Sequence, residues 1–173
     1  MNSSKPKGPL PPLDIWGYLA LAYPLGLAPK APGTFGSLMG LPLGALLFYA
    51  AQHLPVPPPY AHIFVVLCLI ILSWGAWYVI DRTEAAWQTH DDSRIVIDEV
   101  IGQAIPLAFM GFDPITLGLG FILFRFFDIV KPGPIGWADR KLPGAWGTLL
   151  DDLIAGVFAL IGLITIQLIR SAL

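Results

Sequence analysis

The chain has 173 residues, 55% of them hydrophobic and only 13% charged, with a mean hydropathy of +0.69. A soluble domain carries about 25% charged residues, and a chain this short cannot bury so much apolar surface in one aqueous core, so the surplus faces lipid. A net charge of −2 gives no basic excess for a nucleic-acid surface, and the single cysteine, Cys68, excludes an internal disulfide and any cysteine metal pattern.

Residues 1–13 begin MNSSKPKGPLPP, polar and proline-rich. They have no apolar stretch ending in a small-residue cleavage site, and read as a flexible cytoplasmic tail ahead of a single helical domain at 14–173. Residues 16–28 are apolar but short, and fit either an interfacial helix or a re-entrant piece. Spanning the hydrocarbon takes about 20 apolar residues as a helix. Residues 36–54 meet that length, as do 60–80, with Pro55, Pro57, Pro58 and Pro59 punctuating the turn between them. Cys68 lies inside the second run, HIFVVLCLIIL, as core packing. Residues 95–112 and 115–130 are shorter apolar segments around Asp113-Pro114. They predict a helical hairpin whose charged ends meet at one membrane face. Residues 153–173 form the last long run. The expected fold is all-α, a multi-pass helical membrane protein with four to five apolar helices and an interfacial N-terminal segment.

Basic residues set the orientation. With the N-terminus inside and five crossings, Lys5, Lys7, Lys30, Arg82, Arg94, Lys131, Arg140 and Lys141 all fall on the inner side, and only Arg170 lies outside. The same arrangement brings the acid pairs to the cytoplasmic face. The chain has no detectable internal repeat.

Charge is costly near a membrane, so ionisable residues beside apolar runs are functional suspects. Asp98 and Glu99 open a helical run in HDDSRIVIDEVIGQ, with Gly102 one turn on from Asp98, leaving that face open to a backbone or a ligand. Adjacent acids point about 100° apart on a helix, so both can be ligands only at a helix start; the pair fits a polar helix cap equally well. In FRFFDIVKPGP, Arg125 and Asp128 share a helix face, and the helix should end before Pro132. An intramembrane ion pair would account for these two residues but not for Lys131. In PGAWGTLLDDLIAG, Gly144 and Gly147 predict a flexible approach to a helix opened by Asp151 and Asp152, of which capping explains only one. All-oxygen ligands with no His or Cys cluster favour Mg²⁺ over zinc. The five carboxylates, with Arg125 and Lys131 nearby, fit a divalent cation and a phosphorylated substrate. The segment LGLAPKAPGTFGS precedes the first spanning helix, where free backbone N–H groups can hold an anion, although Pro-Gly clusters usually make turns. His53 and His62 read as interfacial on the outer side, and His90 as a solvated inner-loop residue.

Taken together, APKAPGTFGSL, HDDSRIVIDEVIGQ, FRFFDIVKPGPIGWADR and PGAWGTLLDDLIAG resemble, in order and spacing, the phosphatidylglycerophosphatase A family over residues 25–156. The resemblance implies Mg²⁺-dependent removal of the terminal phosphate of phosphatidylglycerophosphate in the bacterial inner membrane, giving phosphatidylglycerol. It implies a core site of Asp98, Glu99, Arg125, Asp128, Lys131, Asp151 and Asp152. It matches Pro32, Gly33, Thr34, Gly36 and Ser37 to an N-terminal substrate-binding loop and Asp139 to the acid before the glycine-rich segment. The chain departs from the pattern at Gly144-Ala145, where many members have Gly-Gly, and at Thr148, where Ile or Val is common; neither removes a charge. The attacking group is water or one aspartate, with water favoured. A small divalent-cation transporter using the same carboxylates is the alternative, and a non-catalytic membrane subunit a third reading. Transport sites lie near the bilayer midplane, often between inverted repeats, unlike acids gathered at one face.

Overall fold

Every regular element of the computed structural model is helical, and among the described residues there is no strand. The structure describes residues 8–90 and 92–172; most of the N-terminal tail with Lys5 and Lys7, Asp91, and Leu173 lie outside them. Among the described residues seven α-helices follow one another: α1 Ile15–Ala20, α2 Pro32–Gln52, α3 Pro58–Trp87, α4 Ile97–Met110, α5 Pro114–Val130, α6 Pro134–Lys141 and α7 Ala145–Ala172. A short 3-10 turn, Leu25–Leu27, lies between α1 and α2.

The boundaries follow local chemistry. Helices α2, α3, α5 and α6 each carry proline in their first turn, where a missing N–H costs no hydrogen bond. Asp113 caps α5 by accepting from the Ile115 and Thr116 amides at 3.1 and 3.2 Å. Gly111, at φ +92°, closes α4, and Lys131, at φ +47°, closes α5 just before Pro132.

Three helices, α2, α3 and α7, are long and apolar enough to cross a membrane. Helices α4 and α5 do form the expected hairpin, but with 14 and 17 residues they reach only about 21 and 26 Å, short of the ~30 Å hydrocarbon core. The two differ in environment. Residues Val100 to Ala108 of α4 are all buried, whereas Ile122, Phe126 and Ile129 of α5 are exposed. Helix α4 is thus the centre of the bundle, flanked by α2 and α7.

Glycine sets those two contacts. A Cβ at Gly40 would come within 2.6 Å of the Val100 carbonyl, and one at Gly44 within 2.6 Å of the Ala104 carbonyl. On the other side, a Cβ at Gly102 would lie 2.6 Å from the Asp152 carbonyl, and one at Gly156 would strike the Gly102 carbonyl. Small residues let helix backbones approach closely where no hydrophobic force drives them together. The open face expected at Gly102 is therefore filled by the backbone of α7.

Three expectations are corrected. The last helix starts at Ala145 rather than near Leu153, so Asp151 and Asp152 lie inside it and cap nothing. Gly147 is likewise helical; its missing Cβ admits the Leu142 carbonyl, while Gly144, at φ +56°, makes the turn. Gly33 to Ser37 do not precede the first long helix but form its opening turns. Helix α6, just after the expected helix end before Pro132, was not expected. As for residues 16–28, α1 packs on α3, with Ala20 and Leu21 fully buried and Tyr18 and Tyr23 exposed.

Candidate active site

The helices alternate in direction, so the starts of α2, α4 and α7 meet the ends of α3 and α5 at one end of the bundle. A cleft of ≈ 1010 Å³ opens there. Asp98 and Glu99 line it from the first turn of α4, Arg125, Asp128 and Lys131 from the end of α5, Asp139 and Arg140 from α6, and Asp151 from α7. The acid-bearing segments, far apart in sequence, therefore converge.

The carboxylates fall into two sets. Asp98, Glu99 and Asp152 each bring one oxygen within 4.8 Å of the others, an arrangement able to hold a metal ion. The first-turn position of Asp98 and Glu99 is what lets two adjacent acids face one point. Buried Asp98 Oδ1, Glu99 Oε2, Asp151 Oδ1 and Asp152 Oδ1 have no hydrogen-bond partner. Buried charge without a partner is strongly unfavourable, and the orphaned oxygens of Asp98, Glu99 and Asp152 form a donor set that a cation would satisfy. All-oxygen donors suit a hard ion.

The second set is ion-paired. Asp128 Oδ2 accepts from Arg125 Nη1 at 2.5 Å, and that same nitrogen donates to Ser37 Oγ at 3.3 Å. Lys131 Nζ bridges Asp139 at 2.5 Å and Asp151 at 2.6 Å. Burial alone would lower the Lys131 pKa, but the carboxylates of Asp151 and Asp139 outweigh it and hold the ammonium protonated, above its ordinary value. Arg125 and Lys131 are thus fixed cations at the mouth of the acid cluster.

The N-terminal segment supports this wall rather than forming a loop over it. Pro32 and Gly33 line the cleft. A Cβ at Gly33 would collide with the Glu99 carboxylate and lie 3.4 Å from Arg125 Nη1. Gly36 packs on Val96, and Ser37, fully buried, donates to the Gly33 carbonyl at 2.8 Å. Thr34 is half-buried and does not line the cleft.

The sequence assigned no site role to Glu84, Thr148, Asp92 or Arg140. Thr148 Oγ1 donates to Glu84 Oε1 at 3.2 Å, and His90 Nδ1 lies 3.2 Å from the same oxygen, so His90 is tied to the rim rather than merely solvated. An acid near the end of a long apolar helix was the available signal for Glu84. Asp92 is spent on Arg94, at 2.7 Å. His62 lies at the other end of the bundle, beside a smaller cavity of ≈ 280 Å³.

The family model for phosphatidylglycerophosphatase A matches residues 18–167. Phosphatidylglycerophosphatase A of Haemophilus influenzae is 34% identical over 96% of this chain and 98% of its own length. The Escherichia coli protein of the same name is 34% identical over 83% of this chain and 78% of its own. A putative phosphatidylinositol-3-phosphatase of Bacteroides thetaiotaomicron is 32% identical over 79% of this chain and 83% of its own. No solved structure matches the chain.

Proposed function

This chain is a phosphatase of the phosphatidylglycerophosphatase A family, and we propose that it hydrolyses the terminal phosphate of phosphatidylglycerophosphate at the cytoplasmic face of the bacterial inner membrane, with Mg²⁺ as cofactor and phosphatidylglycerol as product. The observation that carries the reading is the clustering of Asp98, Glu99 and Asp152, each with one buried oxygen that has no hydrogen-bond partner, beside a cleft lined by Asp98, Glu99 and the fixed cations Arg125 and Lys131.

The charge balance supports a cation requirement. Leaving aside Asp92, which is paired with Arg94, five acids line the cleft against three Arg or Lys side chains, so a phosphate dianion would be repelled unless a further positive charge joined them. Asp98, Glu99 and Asp152 are the residues that would hold Mg²⁺, and their orphaned oxygens fit it. Bound there, the ion would neutralise these acids and draw charge from the phosphoryl oxygens.

The chain's own groups supply the rest. Arg125 presents a planar fork matched to phosphate oxygens, and Ser37 and Asp128 fix its orientation. Lys131 adds a compact charge positioned by Asp139 and Asp151. Both cations stabilise the charge that spreads over the equatorial oxygens as the ester bond breaks. Asp128 and Asp151 are committed to these pairs, which leaves water as the attacking group. A cleft at one end of the bundle suits a lipid whose headgroup enters it while the tails stay in the bilayer. The transporter alternative finds no support among the relatives, and the acids gather at one end of the bundle rather than midway along it.

The test is phosphate release by the purified protein from phosphatidylglycerophosphate, with Mg²⁺ and with chelator, alongside phosphatidic acid and phosphatidylinositol 3-phosphate. Release that needs Mg²⁺ and is fastest with phosphatidylglycerophosphate is expected. Faster turnover of the inositol lipid would move the assignment toward the activity named for the Bacteroides relative, and equal turnover in chelator would remove the metal.

A further inference from the structure

We propose that Arg140 binds the internal phosphodiester of the lipid headgroup, and so selects a headgroup with two phosphates over a simple phosphate monoester. This rests on the reading of the cleft as a lipid-phosphate site. Three Arg or Lys side chains line that cleft. Arg125 is held by Asp128, and Lys131 by Asp139 and Asp151. Among the described residues Arg140 forms no ion pair, so its charge is uncommitted.

Its position suits the task. Arg140 lines the same cleft as Arg125, Lys131 and Asp139, so it shares the cleft with the groups proposed to hold the terminal phosphate. Helix α6 buries Ile135 and Ala138 and carries its basic residues in its last turn. The Arg140 guanidinium lies over Gly136, where a Cβ would come within 2.9 Å of Nη1 and 3.3 Å of Nη2. Glycine at 136 therefore gives the guanidinium room along the helix. The neighbouring Trp137 is 55% exposed, and Trp favours the headgroup level of a membrane, which is where a phosphodiester would lie.

The chemistry makes a distinctive prediction. The two phosphates are joined by a short glycerol bridge, so a cation next to the terminal-phosphate site is within the range of the second. A phosphodiester carries the same single charge before, during and after hydrolysis of the terminal ester. A residue that binds it stabilises ground state and transition state alike, and its loss is felt in KM rather than kcat.

The experiment uses the full chain in mixed micelles with Mg²⁺ and compares wild type, Arg140→Gln and Arg140→Lys. KM and kcat are measured on phosphatidylglycerophosphate, together with inhibition by phosphatidylglycerol, which carries only the diester, and by inorganic phosphate, which mimics only the terminal group. For Arg140→Gln we expect KM and the phosphatidylglycerol inhibition constant to rise about 10-fold or more, the loss of one charge-assisted hydrogen bond. Inhibition by inorganic phosphate should stay within about 2-fold, and Arg140→Lys should fall between. An unchanged KM, a loss in kcat, or an equal weakening of phosphate inhibition would overturn the assignment. Should wild type fail to turn over phosphatidylglycerophosphate, the substrate reading falls alone. Arg140 is then judged by binding of phosphatidylglycerol micelles to wild type and to Arg140→Gln, and equal binding rejects it.

Discussion

Asp151 and Asp152 adjoin in sequence but face different partners. Asp152 belongs to the orphaned trio, whereas Asp151 shares Lys131 with Asp139. Asp152→Asn should therefore cut phosphate release by roughly 10²-fold or more without unfolding the protein, since it removes a buried charge that lacks a partner. Asp151→Asn leaves Lys131 held by Asp139, and a smaller loss of about 10-fold is expected. Turnover assays beside thermal unfolding in detergent check both; wild-type turnover in Asp152→Asn would sink the metal site. Arg125 offers a second contrast, because one nitrogen serves both Asp128 and Ser37. Arg125→Lys keeps the charge but not the fork, and should still lose about 10-fold or more in kcat/KM. If Arg125 served only to neutralise Asp128, the double change Arg125→Leu with Asp128→Leu would restore activity. The identities of these residues were legible in the sequence because charges beside apolar runs stand out. Their division into a carboxylate trio and three ion pairs was not, because it depends on side chains from four helices meeting, and no sequence spacing encodes that.

At the scale of elements, the long apolar runs were readable from length alone, and their ends shifted by a few residues. Helix α6 and the early start of α7 were missed because proline and glycine were read as punctuation. Pro134 instead occupies a first-turn position that tolerates it, and Gly147 serves a close approach to the Leu142 carbonyl. The central place of α4 was also hidden, since its glycine partners sit on α2 and α7. Gly102 tests that place. A valine there would press on the Asp152 carbonyl and on Phe124, and should destabilise the protein by about 1–3 kcal/mol while spreading Asp98 from Asp152. Gly75 in α3 has open space around it, so Gly75→Ala should be neutral or slightly stabilising through helix propensity. A melting temperature lowered equally by both changes would mean that α4 is not wedged as described.

At the scale of the whole molecule, helix direction separates the two ends of the bundle, and charge distribution is the guide to which of them faces the cytoplasm. Helices α2, α3, α4, α5 and α7 alternate, so the acid cleft and the loop after Gln52 lie at opposite ends whatever fraction of α4 and α5 sits in hydrocarbon. The cleft end carries Lys30, Arg82, Arg94, Lys131, Arg140 and Lys141, and an aromatic cluster of Trp74, Trp77 and Trp146 with ring centroids 5.3 to 6.3 Å apart. Tryptophan favours the headgroup level of either membrane face, and an excess of basic residues beyond it is the pattern expected of a cytoplasmic side. The opposite loop, around Val56, has no Lys or Arg. In a Cys68→Ser background, Val56→Cys should react with a membrane-impermeant maleimide in intact spheroplasts, and Lys141→Cys only after the membrane is opened. A reporter fused after Leu173 should read periplasmic and one after Arg140 cytoplasmic, since α7 alone separates them. Labelling of both cysteines from the same side would refute this orientation and, with it, the cytoplasmic placement of the cleft.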